Sequence, residues 1–419
     1  MSEKKNTIKA DLLGEIIQHY LSSSSFNGMH ISHMKNYNYE ALCSLIDDSS
    51  IEVLSEKEVL NPYIKGFDLD IPIDRQKEHI SDTTYVSAVY PTKKTLENVS
   101  IDYSRPYSSL MQKGENQFKL VFFNIEILER YMNNPKFSVY DSGYRGNINP
   151  LDEFFDEPDI DGEYIKDYGM AYIDGEDLNR AIGVFLCDLS DLTPRQQMMW
   201  KGFELSNQSN CKIHKGFVDN LIRGVRVKDV WIFMALIEEM IVINKQCDSI
   251  GIPHLFNKTF SKHPPDMPNG YRNILLPTLK NYYDFVSVLE KMIVHNLSYK
   301  TFQHNSLAIK SIERHGEDGK EKGSLAMFDE WLNKNIYTKE NLTEIIIAPL
   351  RKVRKIRQKP AHELTSNEYN LNLYQEQADL VNEVYTAVRA IRLFFSNHPL
   401  ARNVEVPEYL VLGENIVGY

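Results

Sequence analysis

The sequence has few cysteines, no long apolar run and no recognisable leader. Its four cysteines are far apart and form no Cys-x-x-Cys pair, which excludes a disulfide scaffold and gives no zinc-site spacing. No apolar run approaches the roughly 18 residues that a membrane span needs. The N-terminal MSEKKNTIKADLLGEII lacks the apolar core of a signal peptide. We therefore expect a cytoplasmic protein with no membrane contact, metal ion or cofactor.

The sequence also lacks an excess of positive charge. It has 47 Lys and Arg against 58 Asp and Glu, a net charge of −11, which argues against indiscriminate binding to nucleic acid or anionic membranes. The segment Leu350–Leu364, LRKVRKIRQKPAHEL, is the exception, because six of its first ten residues are Arg or Lys. A basic cluster inside an acidic protein is a local feature and therefore informative.

This basic segment has the periodicity of a helix. Leu350, Val353 and Ile356 recur every third position and can pack on a core, while the arginines 351, 354 and 357 form a neighbouring stripe that faces a groove or a partner. Pro360 is expected to end the helix and to let His362 swing back beside Arg357. Such an arrangement suits phosphate chemistry.

The remaining pattern predicts an α+β protein in four parts. Residues 1–110 read as a mixed α/β region and 111–250 as an α/β sensing or regulatory region, with FKLVFF (118–123) as a buried strand and Thr193-Pro194 as a helix start. The Pro- and Gly-rich residues 251–270 are predicted to be a linker. Residues 271–419 are predicted to be all-helical.

Four amphipathic helices are predicted after the linker. The first carries apolar residues at 3–4 spacing from Leu279 to Ile293, and the second is SLAMFDEWLNKNI. The third runs from about Lys339, restarts at Pro349 and carries the basic segment. The fourth has one apolar face from Tyr374 to Phe395. Four such helices with moderate loops form a bundle.

Arg357-Gln-Lys-Pro-Ala-His362 reads R-x4-H at the end of the third helix of this bundle. The combination, over about residues 271–398, resembles the HEPN superfamily, whose RNase members carry an R-x4–6-H motif in a four-helix bundle. Gln358 stands where active relatives usually have Asn, Asp or His. A second match, from Arg392 to His398, has an apolar spacer and is interpreted as packing.

The resemblance implies that Arg357 and His362 are catalytic residues of an endoribonuclease. A histidine can move a proton at a ribose 2′-OH or a leaving 5′ oxygen, and a guanidinium can hold two phosphate oxygens, without a metal. One histidine does not easily serve as both acid and base, so a homodimer joining two motifs through the bundle is expected. The predicted RNA-binding residues are Arg351, Arg354, Lys355, Gln358 and Lys359.

By the same resemblance, the protein is expected to be a toxin or an antiphage-defence effector. Its N-terminal region would restrain it and respond to a protein or phage-derived trigger. Two other interpretations stay open. The bundle could be a non-catalytic module that dimerises and binds a nucleotide or RNA, or a scaffold whose basic helix docks an acidic partner. In a purely structural interpretation, Arg357 pairs with Glu363 or Glu344 and His362 caps the helix.

Overall fold

The computed structural model describes residues 2–23, 25–34, 38–175, 179–263, 266–306, 309–362 and 366–418, and only the backbone of 2–5 and 360–362. Helices and strands both occur in these residues, and the C-terminal part is helical. The predicted α+β class is therefore confirmed.

The strands are short. They are β1 (Met29–His30), β2 (Ile51–Ser55), β3 (Ser87–Pro91), β4 (Leu120–Asn124), β5 (Phe137–Asp141), β6 (Arg145–Pro150), β7 (Asp167–Ile173), β8 (Arg180–Phe185), β9 (Cys211–Ile213), β10 (Val230–Trp231) and β11 (Ile416–Val417).

The helices are short in the middle of the chain and longer towards its C-terminal end. They are α1 (Ser2–Ser22), α2 (Tyr39–Asp47), α3 (Ile73–Ser81), α4 (Pro106–Gln112), α5 (Ile127–Met132), α6 (Leu186–Ser190), α7 (Pro194–Lys201), α8 (Lys215–Leu221), α9 (Ile232–Ile250), α10 (Leu279–Ile293), α11 (Tyr299–Gln303), α12 (Ser324–Asn335), α13 (Ala348–His362), α14 (Asn372–Ser396) and α15 (Glu408–Leu412).

Two sheets contain most of the strand residues. The smaller has the order β1-β3-β2, and both of its pairings are antiparallel. The larger has the order β4-β8-β7-β6-β5, with β9 paired to β7. Its strand β4 pairs antiparallel with β8, from Leu120 opposite Phe185 to Asn124 opposite Ala181. The predicted strand 118–123 is thus confirmed within two residues.

Contacts between residues divide the chain into two compact units. The first comprises 1–127, 148–169 and 181–211, and the second comprises 128–147, 170–180 and 212–419. In the first unit, α1 and α2 pack on the small sheet around buried residues such as Leu12, Leu42 and Val53. The domain ranges inferred from the sequence stay a prediction.

The second unit has one large apolar core. Helices α9, α10, α12, α13 and α14 all contribute to it, and Leu255 and Phe256 from the segment predicted to be a linker are buried there. The predicted helices correspond to α10, α12, α13 and α14, since their apolar residues at 3–4 spacing are the buried ones. None of the described helices is long and apolar enough to cross a membrane.

Helix α13 carries the basic segment and differs from expectation at its end. A π-helical turn at Thr343–Ile347 leads directly into it, and Pro349 is its second residue. The prediction that Pro360 ends the helix is wrong, because α13 continues to His362. Pro360 removes the hydrogen bond that its N–H would donate to the Ile356 carbonyl, and the helical backbone nevertheless continues for two more residues.

Candidate phosphate-binding site on helix α13

The two stripes predicted for the basic segment are present on α13. Leu350 and Val353 are fully buried, and Ile356 is partly buried against the same core. On the adjacent stripe, the side chains of Arg354 and Arg357 are 35% and 42% exposed. The apolar stripe therefore fixes the helix and leaves its guanidinium groups at the surface.

Two cations of this helix form exposed ion pairs with neighbouring helices. Arg351 Nη2 donates to Asp329 Oδ2 on α12 at 2.8 Å, and Lys352 Nζ donates to Glu383 Oε1 on α14 at 2.7 Å. Pairs this exposed contribute less than about 1 kcal/mol each to stability. A phosphate can therefore compete for Arg351 and Lys352 at little cost.

Glu290 on α10 is the unexpected member of the site. Its side chain is only 3% exposed, and its two oxygens lie 3.6 Å from Arg354 Nε and 3.5 Å from Arg357 Nε. Glu290, and not the suggested Glu344, is the carboxylate described beside Arg357, and the other suggested partner, Glu363, lies outside the described residues. A buried carboxylate is costly unless its charge is balanced, so Glu290 holds both guanidinium groups against α10.

A histidine completes this cluster. His295 follows the end of α10 and is half-exposed, and its Nε2 lies 3.4 Å from Glu290 Oε1. The other oxygen, Glu290 Oε2, is buried and accepts no hydrogen bond from any described residue. One buried carboxylate is thus shared by Arg354, Arg357 and His295.

Sequence reasoning missed Glu290 and His295. Glu290 lies four residues after Val286 and three before Ile293, on the buried stripe of α10. A charged residue at such a position needs a partner in the fold, and this was the available signal. No comparable signal singled out His295, because only the fold brings it to the basic helix.

The other predicted RNA-binding residues are exposed. Lys355, Gln358 and Lys359 are all at the surface, and within the described chain no carboxylate lies at ion-pair distance from either lysine. These two lysines extend the positive surface beyond the arginines. They are available to an anion without breaking an existing pair.

The backbone at His362 does not turn back towards Arg357 as expected. The two residues are five apart on a continuous helix, so their backbone positions differ by about 140° around its axis. The side chain of His362 lies outside the described residues. The expected proximity of the two side chains depended on a break at Pro360, and α13 has no such break.

The second motif match has a structural role. Arg392 is 3% exposed, forms an ion pair with the fully buried Glu239 on α9, and donates from Nη2 to the Leu410 carbonyl at 2.8 Å. His398 Nδ1 accepts from the backbone N–H of Leu400. Arg392 is thus inaccessible to phosphate, as its apolar spacer indicated.

A cavity of about 510 Å³ in the first unit is a weaker candidate site. Its lining includes His79, which lies 3.0 Å from Glu58, and Glu58 also pairs with Arg75 at 2.8 Å. The charges there are balanced within the unit and show no preference for an anion. Throughout the described ranges, no three His, Cys, Asp or Glu residues could hold a metal ion.

Comparisons of the chain with protein-family models, curated proteins and solved structures found no match.

Proposed function

We propose that this protein is a metal-independent endoribonuclease whose site lies on the basic face of α13. The observation that carries the proposal is the pair Arg354 and Arg357, both held by the buried Glu290 beside His295. Fixed guanidinium groups next to an imidazole are the groups that RNA transesterification needs. The R-x4-H motif of Arg357 and His362 supports the same reaction.

The guanidinium groups supply charge stabilisation. Their contacts with Glu290 run through Nε in both arginines, which leaves terminal nitrogens of the planar groups to approach two oxygens of one phosphate. As negative charge grows on the phosphorus-bound oxygens, donors already oriented need little rearrangement. Glu290 is a positioning residue in this account.

The exposed part of the face binds the flanking RNA. Lys355, Gln358 and Lys359 contact phosphates or sugars next to the cut, and Arg351 exchanges its carboxylate partner for a phosphate. No cofactor is involved. The protein pairs as a homodimer through the C-terminal bundle, so that two such faces share one cleft.

The biological setting is a cytoplasmic toxin or antiphage-defence effector. The N-terminal region restrains the nuclease until a protein or phage-derived trigger acts on it. This part of the proposal rests on the resemblance of the motif to HEPN RNases.

A second candidate function is binding of RNA or a nucleotide without cleavage. The observation that favours it is Gln358, directly after the arginine of the motif. Active HEPN RNases usually carry Asn, Asp or His at this position. The same exposed cations would then hold phosphates without reaction. Cleavage of RNA by the wild-type protein distinguishes the two candidate functions.

The test is cleavage of total RNA by the purified full-length chain in EDTA. Wild-type protein and the control Arg402→Ala, which removes an exposed arginine outside α13, should cleave. Arg357→Ala and His362→Ala should lose activity while still binding RNA. Binding without cleavage by the wild type supports the second candidate, and equal cleavage by all four proteins contradicts the proposed site.

A further inference from the structure

The cluster around Glu290 contains an imidazole for which the proposed function has so far given no role. His295 presents Nε2 to Glu290 Oε1 at 3.4 Å, and the same carboxyl group contacts Arg357 at 3.5 Å. Half of the histidine side chain is exposed. Since Nε2 faces Glu290, Nδ1 is the nitrogen left to act on a substrate.

A carboxylate behind one nitrogen of a histidine has two effects. It orients the ring, and it stabilises the imidazolium that forms when the other nitrogen accepts a proton. Glu290 is suited to this because it is buried and lies within ion-pair distance of His295 and of two guanidinium groups. The arrangement places His295 where a general base would act.

We infer that His295 is the general base of the RNA cleavage reaction, acting in the same chain as Arg357. The inference rests on the proposed function and adds the proton acceptor that the R-x4-H motif does not supply by itself. It assigns His362, from either chain of a dimer, to the general acid.

The reaction then balances without a further reactant. His295 Nδ1 takes the proton of a ribose 2′-OH, and the oxygen attacks the adjacent phosphorus while Arg354 and Arg357 hold the non-bridging oxygens. The bond from phosphorus to the 5′ oxygen breaks, and His362 protonates that oxygen. The products are a 2′,3′-cyclic phosphate and a 5′-OH, and water later exchanges the protons between the histidines.

The continuation of α13 supports the assignment of the base and the acid to two different histidines. Because the helix does not break at Pro360, the backbone of His362 lies on another side of the helix from Arg357. The carboxyl group of Glu290, in contrast, links His295 directly to Arg357. His295 is the imidazole that the fold places beside the phosphate clamp.

The experiment compares the cleavage rate constants of wild type, His295→Ala, His295→Asn and His362→Ala on one RNA in EDTA. The matched control is His315→Ala, an exposed histidine in the same unit. Both His295 variants should lose about a hundredfold in kcat and keep KM, and added imidazole should restore part of the activity of His295→Ala. The control should match the wild type.

Imidazole rescue distinguishes chemistry from structure, because a free base cannot repair a folding defect. His295 variants at full rate beside an inactive His362→Ala overturn this inference and leave the proposed function standing. A loss of kcat without rescue in both His295 variants, with a lowered melting temperature, assigns His295 to structure and overturns it too. Wild-type protein that leaves RNA intact overturns the proposed function and the inference together.

Discussion

Glu290 Oε2 lies 3.5 Å from Nε of Arg357, joining the buried face of α10 to the basic face of α13. This contact determines which donors of the Arg357 guanidinium remain available to a phosphate. The buried carboxylate attracts the guanidinium at Nε without a hydrogen bond, and the terminal nitrogens remain as donors for a phosphate.

Glu290→Gln should reduce RNA cleavage by at least about tenfold, equivalent to about 1.4 kcal/mol of activation free energy. The amide keeps the shape of the side chain but no longer balances Arg354 and Arg357 or orients His295. RNA affinity should be kept or increased, because two cations lose their competitor. The matched control is Glu383→Gln, which removes the partner of Lys352 and should leave the rate unchanged. Equal rates for the two variants would show that Glu290 does not position the site.

The second prediction concerns the salt dependence of RNA binding. Lys355→Ala and Arg351→Ala should each weaken binding and lower the slope of log affinity against log salt by about one phosphate contact. Asp329→Asn should strengthen binding, because it releases Arg351 from its ion pair. Titrations at several salt concentrations measure all three slopes. Unchanged slopes in both alanine variants would assign these cations to intramolecular contacts.

The third prediction concerns the buried pair Arg392 and Glu239. Arg392→Ala should lower the free energy of unfolding by roughly 3–5 kcal/mol, since it leaves a buried carboxylate without its cation. The double variant Arg392→Met with Glu239→Leu should recover much of the loss. Urea denaturation measures both. The exposed Arg402→Ala is the control, and an Arg392→Ala protein as stable as that control would contradict the interpretation.

The fourth prediction concerns Asp141, whose burial raises its pKa from 3.8 to about 6 although Arg272 and Arg180 oppose the change. A carboxyl group with a raised folded-state pKa contributes stability that is present below pH 3.8 and is lost as pH rises through about 6. A difference of about two between the pKa values corresponds to roughly 3 kcal/mol. The melting temperature of Asp141→Asn should therefore rise relative to that of wild type as the pH is raised from 4.5 to 7.5.

The control for this measurement is the exposed Asp152→Asn, which should follow the wild type at both pH values. The quantity compared at the two pH values is the difference in melting temperature between Asp141→Asn and wild type. Any loss of attraction to Arg272 or Arg180 that is independent of pH is the same at both values and cancels. A gap between Asp141→Asn and wild type that is the same at both pH values would mean that Asp141 is not ionising in this range.

The sequence was sufficient for features set by local periodicity. The spacing of Leu350 and Val353 predicted which side of α13 is buried, and Thr193 caps α7 as its position before Pro194 predicted. It was not sufficient for Pro360, because a proline disfavours a helix without always ending it, and α13 continues for two residues beyond Pro360.

The partners of the basic residues could not be predicted from the sequence either. Glu290 lies on α10 and His295 follows its end, and α10 meets α13 only through tertiary packing. Many carboxylates in an acidic chain could pair with Arg357, and local pattern offers no means of choosing among them. What could be read was a charged residue on an apolar stripe, which marks Glu290 as a residue that requires a partner.

The most direct test of the central proposal is the chemistry of the RNA ends produced in EDTA. The account predicts cleavage by the wild-type chain that leaves a 2′,3′-cyclic phosphate and a 5′-OH, because the nucleophile is the neighbouring ribose hydroxyl, and no cleavage of DNA, which lacks that hydroxyl. End-labelling and mass spectrometry of the fragments identify the groups. Fragments with 3′-OH and 5′-phosphate ends, or cleavage only when Mg²⁺ is added, would contradict it.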